Sequence, residues 1–254
     1  MRQPLKSAMK NGVIRDHPLD MVVMPPSKDR KDIRFLTEEE QQIFEEEAEF
    51  TNHAYPFQLI LQTGLRTGEL IGLTFDSVDF ANRMIRVEKQ LEYRYSEGYW
   101  RAGPPKTRNS YHTVPMTQKA YCILKAESEL RTYRKESPVL ENILEYHDPK
   151  SGKMKNLKMR DLVFVNPRTG EPTKNYTYDT RISKICDRCG LQPFGMHALR
   201  HTFATRCIER GIKPKVLQKL LGHAHLSTTM DLYVHVSEES LENGIRLLES
   251  IGHN

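Results

Sequence analysis

The spacing of apolar residues changes along this 254-residue chain, and the change limits the folds that the chain can adopt. Between positions 75 and 116, apolar side chains recur at every second residue, as at Val78 and Phe80 and again at Ile85 and Val87. This alternation is typical of strands that bury one face. Outside that stretch the apolar spacing is helical. We therefore predict an α+β fold that is mainly α-helical, with a small antiparallel three-stranded sheet. The predicted helical units end at four glycines: Gly64, Gly190, Gly211 and Gly222.

Helix boundaries are marked most clearly in the first half of the chain. Thr37 and Glu40 form a capping box, which predicts a helix that runs to about Asn52. Further helices are predicted over residues 56–63, 68–73 and 118–134. Residues 138–160 are polar and rich in lysine, so we predict a surface loop or insertion there.

Composition excludes several classes of protein. Charged residues make up 28% of the chain, mean hydropathy is −0.63, and no apolar run has the length of a membrane helix. Residues 1–19 lack the apolar segment of a secretion signal, so we predict a cytoplasmic protein without a membrane partner. The net charge of +5 is compatible with a polyanionic partner.

Cysteine usage does not predict a disulfide framework or a metal site. The chain has four cysteines, which are unevenly spaced. Cys186 and Cys189 form a CxxC pair, but no second pair completes the four ligands of a structural zinc site. We therefore predict that the protein holds no metal and no cofactor.

The first motif with chemical potential is Thr63-Gly-Leu-Arg-Thr-Gly-Glu-Leu70. Its glycines free the backbone for a tight turn between two helices, where Arg66 can donate two N–H groups to one phosphate. Glu69 can orient that guanidinium from the next turn. Taken alone, an arginine and a glutamate three residues apart are more often an ion pair on a helix surface.

The second motif is His197-Ala-Leu-Arg-His-Thr-Phe-Ala-Thr205. His197 and Arg200 share a polar helical face, while Leu199 and Phe203 belong to a packing face. His197 and His201 also have the spacing of a metal-binding pair, which leaves that alternative open.

The third motif runs from Leu221 to His235. Gly222 ends a helix immediately before His223, Ser227 or Thr228 can cap the next helix, and Tyr233 lies near the end of that helix. Taken alone, Tyr233 would be a hydrogen-bonded core tyrosine. Together, the three motifs place two arginines, two histidines and a tyrosine at helix ends, which predicts a site where a side-chain nucleophile attacks a phosphodiester.

These motifs resemble the catalytic boxes of the tyrosine recombinase (phage integrase) family, in particular the integrases of phages and conjugative transposons. The resemblance covers GLRTGEL, HALRHTFAT, and LGH followed by Thr-Thr and Tyr-x-His, in order across residues 35–250. It implies a site-specific recombinase that cleaves and rejoins DNA strands through a 3′-phosphotyrosyl intermediate, without ATP or metal. Integration and excision of a mobile element is the implied biological role.

The resemblance also implies a role for each matching residue. Tyr233 would be the nucleophile, beside the guanidiniums of Arg66 and Arg200, so that all three share one phosphorus. Lys106, in a turn before a strand, would protonate the departing 5′ oxygen, and Lys89 and Lys119 fit that position less well. The residues implied around the scissile phosphate are Arg66, His197, Arg200 and His223.

Domain organisation follows from the same resemblance. Residues 1–34 would be the remnant of a core-binding domain helix and a basic linker, and residues 35–254 the catalytic domain, with a C-terminal helix over 238–251. The implied partner is double-stranded DNA with inverted core sites, bound by a homotetramer through exchange of C-terminal helices. That helix has Leu241, Ile245 and Leu248 at helical spacing, so it can equally pack on its own core.

One spacing departs from many family members. His223 and Tyr233 are ten residues apart, where nine is common, so the path of the tyrosine segment is the part that the resemblance defines least. Two other classes of protein remain open at this stage. One is a noncatalytic regulator that uses Lys215–Val236 as a helix-turn-helix, and the other is a relative of type IB topoisomerases.

Overall fold

The structure is a computed structural model that describes residues 2–16, 18, 34–105, 110–134, 136–166 and 168–234. Contacts divide the chain into two units, residues 1–32 and 33–254. Helix α1 (Arg2–Lys10) belongs to the first unit. The assignment of residues 1–34 to the remnant of another domain stays a prediction.

The second unit is mainly helical, which confirms the predicted fold class. The capping box at Thr37 is also confirmed, because the Thr37 Oγ1 accepts from the Glu40 N–H at 3.1 Å and the Glu40 carboxylate accepts from the Thr37 N–H at 3.0 Å. The helix that it opens ends at Ala48, four residues earlier than predicted, because the Thr51 N–H and hydroxyl both donate to the Ala48 carbonyl. The helices are α2 (Glu38–Ala48), α3 (Ala54–Thr63), α4 (Thr67–Ile71), α5 (Gln118–Leu130), α6 (Asn175–Cys189), α7 (Met196–Glu209), α8 (Pro214–Leu221) and α9 (Leu226–Val234).

The alternating stretch forms the predicted three-stranded antiparallel sheet. Its order is β1 (Val78–Asp79), β2 (Met84–Val87), β5 (His112–Pro115). Ile85 pairs with Val114, and both side chains are buried. A separate hairpin, β3 (Gln90–Arg94) with β4 (Tyr99–Gly103), fills the interval between β2 and β5.

The prediction of a surface loop over residues 138–160 is wrong for most of that segment. Strands β6 (Ile143–Asp148) and β7 (Lys153–Lys158) pair as an antiparallel hairpin. Asp148 anchors this hairpin: its buried carboxylate accepts hydrogen bonds from the Tyr111 and Ser151 hydroxyls and pairs with Lys155 at 2.9 Å.

The main core lies around α3. Phe57 and Ile60 are fully buried there, and Phe57 packs against Phe44 of α2 and Tyr178 of α6 with ring centroids 5.6 and 5.9 Å apart. A smaller cluster is built from α7, α8 and α9. Helices α3 and α7 pack together, so the turn after α3 lies against the helix that carries the second motif. No helix in the described part of the chain combines the length and apolar character needed to cross a bilayer.

Gly64 makes this close packing possible. It ends α3 with φ of 66°, and a Cβ at this position would lie 2.4 Å from Cδ1 of Phe203 and 2.8 Å from Cδ2 of Leu221. Gly190 ends α6 with nearly the same backbone, φ of 71°, but a Cβ there would meet no atom within 4 Å.

The two glycines provide a matched test of this packing. We expect Gly64→Ala to lower the free energy of unfolding by about 2–5 kcal/mol, because left-handed strain adds to overpacking. Gly190→Ala carries the strain alone and should cost about 1–2 kcal/mol. Urea unfolding followed by circular dichroism measures both. Equal losses would mean that the contact with Phe203 and Leu221 relaxes at no cost.

Candidate active site

Arg66 is held in the turn between α3 and α4. Its backbone N–H donates to one oxygen of the Glu69 carboxylate at 2.9 Å, and its guanidinium donates to the other oxygen at 2.8 Å. The guanidinium also donates to the carbonyl of Gly222 at 3.3 Å. Glu69 and the Gly222 carbonyl therefore fix a side chain that is still a quarter exposed.

Arg200 comes from α7 and lies in the same place. It is 4% exposed, and its guanidinium donates to the carbonyl oxygens of Gly64 and Leu221. Burial, together with the nearby charge of Arg66, lowers the pKa of Arg200 to about 9, while Glu69 acts in the opposite direction. The guanidinium keeps its positive charge at neutral pH.

Glu69 lies between the two arginines. Its side chain is 2% exposed, and its carboxylate is 2.8 Å from an Arg66 nitrogen and 4.0 Å from an Arg200 nitrogen. One buried carboxylate thus balances part of the charge of two guanidiniums, and the remaining positive charge favours an anion at this point.

His223 lies beside this pair, directly after the Gly222 carbonyl that Arg66 binds. Its Nδ1 is 3.0 Å from the hydroxyl oxygen of Thr229. Burial lowers the pKa of His223 to about 3, and Arg200 and Arg66 add to the effect, so the ring is neutral at physiological pH. His223 lines a basic cleft of about 470 Å³. The other residues that line this cleft are Tyr111, His112, Thr113, Lys215, Gln218 and Lys219.

His197 lies on the exposed surface of α7, three residues before the buried Arg200. Its ring contacts His201 edge-on, with centroids 5.6 Å apart. His201 has a pKa lowered to about 4 by burial, with His197 and Arg200 contributing. His197 and His201 therefore contact each other on α7, on either side of Arg200 in the sequence.

Tyr233 takes a different position from the one expected. Its hydroxyl donates to the backbone carbonyl of Ile212, and its ring packs against the cluster formed by α7, α8 and α9. Burial raises the pKa of the phenol. Hydrogen-bond chemistry accounts for this position of Tyr233. A guanidinium can only donate, and those of Arg66 and Arg200 already donate to carbonyls and to Glu69. The Ile212 carbonyl, in contrast, accepts the phenol proton.

Lys106 lies outside the described residues, as does Arg108, whose charge and place two residues after Lys106 also suit a phosphate contact. The two lysines that fit the catalytic position less well have carboxylate partners: Lys89 pairs with Asp76 at 2.9 Å, and Lys119 pairs with Glu45. Another candidate contact, Lys174, lies over the ring of Tyr93 at 3.7 Å.

Sequence reasoning missed His112 of β5. A side chain at Gly222 would collide with its ring, with a Cβ only 2.5 Å from Nδ1, so the histidine packs directly under the turn that carries His223. Its Nδ1 donates to the Ser110 carbonyl at 2.8 Å, and its buried Nε2 has no hydrogen-bond partner among the residues that the structure describes. Burial lowers the pKa of His112. The signal was its position two residues before the buried Val114, which places a polar ring on the inward face of the strand.

A metal site is not evident in the described ranges, where no three His, Cys, Asp or Glu side chains are grouped to hold an ion. Cys186 is buried, and the Cys189 thiol donates to the Ile185 carbonyl at 3.0 Å.

Comparison with known proteins identifies the family. The model described as the phage integrase family matches residues 29–240, so this chain belongs to that family, as its three motifs indicate. A tyrosine recombinase XerC-like protein of Caldanaerobacter subterraneus is 28% identical over 239 residues, covering 89% of this chain and 56% of the relative. The transposase from transposon Tn916 of Enterococcus faecalis is 30% identical over 188 residues, covering 72% of this chain and 42% of the relative. The chain thus spans about half the length of these relatives.

Solved structures show the same fold. The Tn1549 transposon integrase in complex with a circular intermediate DNA superposes with a TM-score of 0.73 and 24% identity, covering 97% of this chain and 76% of that one. A lambda integrase dimer bound to a core site gives a TM-score of 0.56 and 19% identity, covering 91% of this chain and 69% of that one.

Proposed function

We propose that this chain is the catalytic part of a site-specific recombinase that cleaves and rejoins DNA strands through a 3′-phosphotyrosyl intermediate, for integration and excision of a mobile element. The observation that carries the proposal is the convergence of Arg66, Arg200 and His223 around Glu69 and Gly222. Family membership supports the same reading.

The chemistry assigns one task to each group. The Tyr233 oxygen attacks phosphorus, passes its proton to His197, and forms a phosphotyrosyl ester while the bond from phosphorus to the 5′ oxygen breaks. That oxygen takes a proton, which we assign to Lys106, and leaves as a 5′-hydroxyl. Arg66 and Arg200 stabilise the charge on the nonbridging oxygens, and because they are already fixed by hydrogen bonds, little reorganisation is needed as charge develops. His197 and His223 complete the phosphate contacts.

Attack requires Tyr233 to exchange one partner for another. The phenol must leave the Ile212 carbonyl and reach the phosphate bound between the arginines. A bound phosphodiester favours this exchange, because its oxygens accept hydrogen bonds from the guanidiniums and its phosphorus is the target of the phenol. The phosphotyrosyl ester is close in energy to the phosphodiester that it replaces, so a 5′-hydroxyl from a second strand can reverse the step.

The proposed partner is double-stranded DNA with inverted core sites. The basic cleft, with Lys215 and Lys219, has the charge and position to hold the backbone next to the arginines. Solved relatives were captured on circular intermediate DNA and on a core site. A cytoplasmic location is part of this proposal.

Assembly as a homotetramer on DNA, through exchange of C-terminal helices, is the second half of the partner proposal. A groove of about 680 Å³ lies between α2, β5 and α7. Its floor is apolar, with Leu61, Val114, Phe203 and Leu220. The helical spacing of leucine and isoleucine in residues 238–251 suits such a floor, so we assign this groove to the C-terminal helix of a neighbouring copy.

The proposal is tested by covalent capture. Nicked suicide duplexes tiled across the DNA that flanks the gene should yield a protein–DNA band on a denaturing gel. EDTA should leave that band unchanged, because the guanidiniums supply the positive charge and ester exchange needs no external energy. The absence of an adduct with every duplex would point to a noncatalytic DNA-binding protein, and relaxation of plasmids without any specific site would point to a topoisomerase. Loss of the adduct with EDTA would overturn the metal-free mechanism.

A further inference from the structure

The hydroxyl of Thr229 has an unusual partner for a helical threonine. Thr63, Thr180 and Thr202 all donate to the carbonyl four residues earlier, at 2.6, 2.8 and 2.8 Å. Thr229, in the first turn of α9, instead has its Oγ1 3.0 Å from Nδ1 of His223. The Thr229 hydroxyl therefore does not make the hydrogen bond to a helix carbonyl that the other three threonines make.

Burial fixes the direction of this hydrogen bond. Thr229 is 0% exposed, so its hydroxyl proton has no water to bind. Among the described residues, the His223 ring is its one hydrogen-bond partner. If Nδ1 carried the proton and donated it, the buried hydroxyl would be left with an unsatisfied proton, which costs about 1–3 kcal/mol. The hydroxyl therefore donates, and Nδ1 accepts.

A neutral imidazole has one N–H, so a proton acceptor at Nδ1 places that N–H on Nε2. His223 is neutral at physiological pH, as described above for the site. In this tautomer the ring presents a donor to the basic cleft that it lines. The opposite tautomer would present a lone pair, which repels a phosphate oxygen.

We propose that Thr229 is a positioning residue that holds His223 as the Nε2–H tautomer and fastens the first turn of the tyrosine helix to the phosphate site. The attachment of the tyrosine helix rests on the spacing of two residues in α9. Thr229 and Tyr233 are four residues apart, so they lie on the same face of that helix. The helix can then turn its C-terminal end away from Ile212 while its first turn stays attached to His223. This inference rests on the proposed function for its catalytic consequence.

Three variants separate the hydroxyl from the volume of the side chain. Thr229→Val keeps the shape and loses the hydroxyl, and Thr229→Ser keeps the hydroxyl. Thr202→Val removes a buried hydroxyl that donates to the Ala198 carbonyl on α7 and accepts from the Leu36 N–H, so it reports the effect of losing a structural hydroxyl away from His223. We expect Thr229→Val to slow adduct formation on suicide DNA about tenfold to a hundredfold, a loss of the size found when the hydrogen-bond partner of a metal-binding histidine is removed. Thr229→Ser and Thr202→Val should cleave at close to the wild-type rate.

A spectroscopic measurement tests the tautomer without any activity. Long-range ¹H–¹⁵N spectra of ¹⁵N-histidine-labelled protein report which ring nitrogen carries the proton, and the His223 signals are those missing from His223→Gln. Wild type and Thr229→Ser should show Nε2–H, and Thr229→Val should shift toward Nδ1–H.

The outcomes are distinguishable. A Thr229→Val protein with the wild-type tautomer and rate, or a Thr229→Ser protein as slow as Thr229→Val, overturns the inference. If wild type forms no adduct, the proposed function fails, and the spectra still decide whether Thr229 sets the tautomer.

Discussion

Replacing Arg200 with alanine is expected to slow strand cleavage by about a thousandfold or more, the range for removing a preorganised cation from a phosphoryl-transfer site. Arg200 is fixed by the carbonyls of Gly64 and Leu221, so its charge is in place before the reaction begins. Arg200→Lys should recover only part of the rate, because an ammonium cannot donate in two directions from a rigid plane. Single-turnover adduct formation at saturating protein measures these rates.

Arg206 is the matched control for this experiment. It is also a buried arginine of α7, at 9% exposure, and it donates to the Leu36 carbonyl and pairs with Glu209. Arg206→Ala should lower the melting temperature and leave the cleavage rate of the folded protein close to wild type. Equal loss of cleavage in both variants would show that Arg200 acts through stability alone.

Glu69→Gln is expected to have the largest effect on stability. The substitution removes the negative charge that lies between Arg66 and Arg200, leaving the buried Arg200 and the partly exposed Arg66 without their shared partner. We expect the free energy of unfolding to fall by about 2–4 kcal/mol, somewhat less than for a fully buried pair because Arg66 is a quarter exposed. Cleavage should fall as well, since Arg66 loses the carboxylate that orients it.

Glu40 provides a close control for Glu69. Both glutamates occupy the third position of a helix, and both accept from the backbone N–H at its start and from an arginine, which is Arg34 for Glu40. They differ in exposure, 23% for the Glu40 side chain against 2% for Glu69. Glu40→Gln should therefore cost about 1 kcal/mol or less. Equal losses in urea unfolding would mean that burial of Glu69 is not what makes its charge important.

Local signals in the sequence were sufficient for much of the fold. The capping box at Thr37 and the glycine stop at Gly64 depend on neighbouring backbone atoms, so they can be seen in a few consecutive letters. The β6–β7 hairpin was missed because its strands carry lysines and exposed apolar residues such as Ile143 and Met154, which blur the alternation. Its turn was marked by Gly152, which has φ of 68°.

The site required information that local patterns do not contain. Arg66 and Arg200 are brought together by packing of α3 against α7. Beforehand they were connected only by the types of residue in their motifs and by the family resemblance. His112 could not be assigned, because its place under Gly222 depends on a contact between β5 and the turn after α8. The position of Tyr233 depends on a tertiary contact as well, since its hydroxyl donates to the Ile212 carbonyl in the loop between α7 and α8.

The most direct measurement is to locate the covalent bond. The adduct formed on suicide DNA is digested with protease and nuclease, and the nucleotide-bearing peptide is sequenced by mass spectrometry. The account predicts a 3′-nucleotide on the phenol of Tyr233, a free 5′-hydroxyl on the released strand, and no adduct from Tyr233→Phe. A nucleotide on another residue, attachment through a 5′ phosphate, or an undiminished adduct from Tyr233→Phe would contradict it.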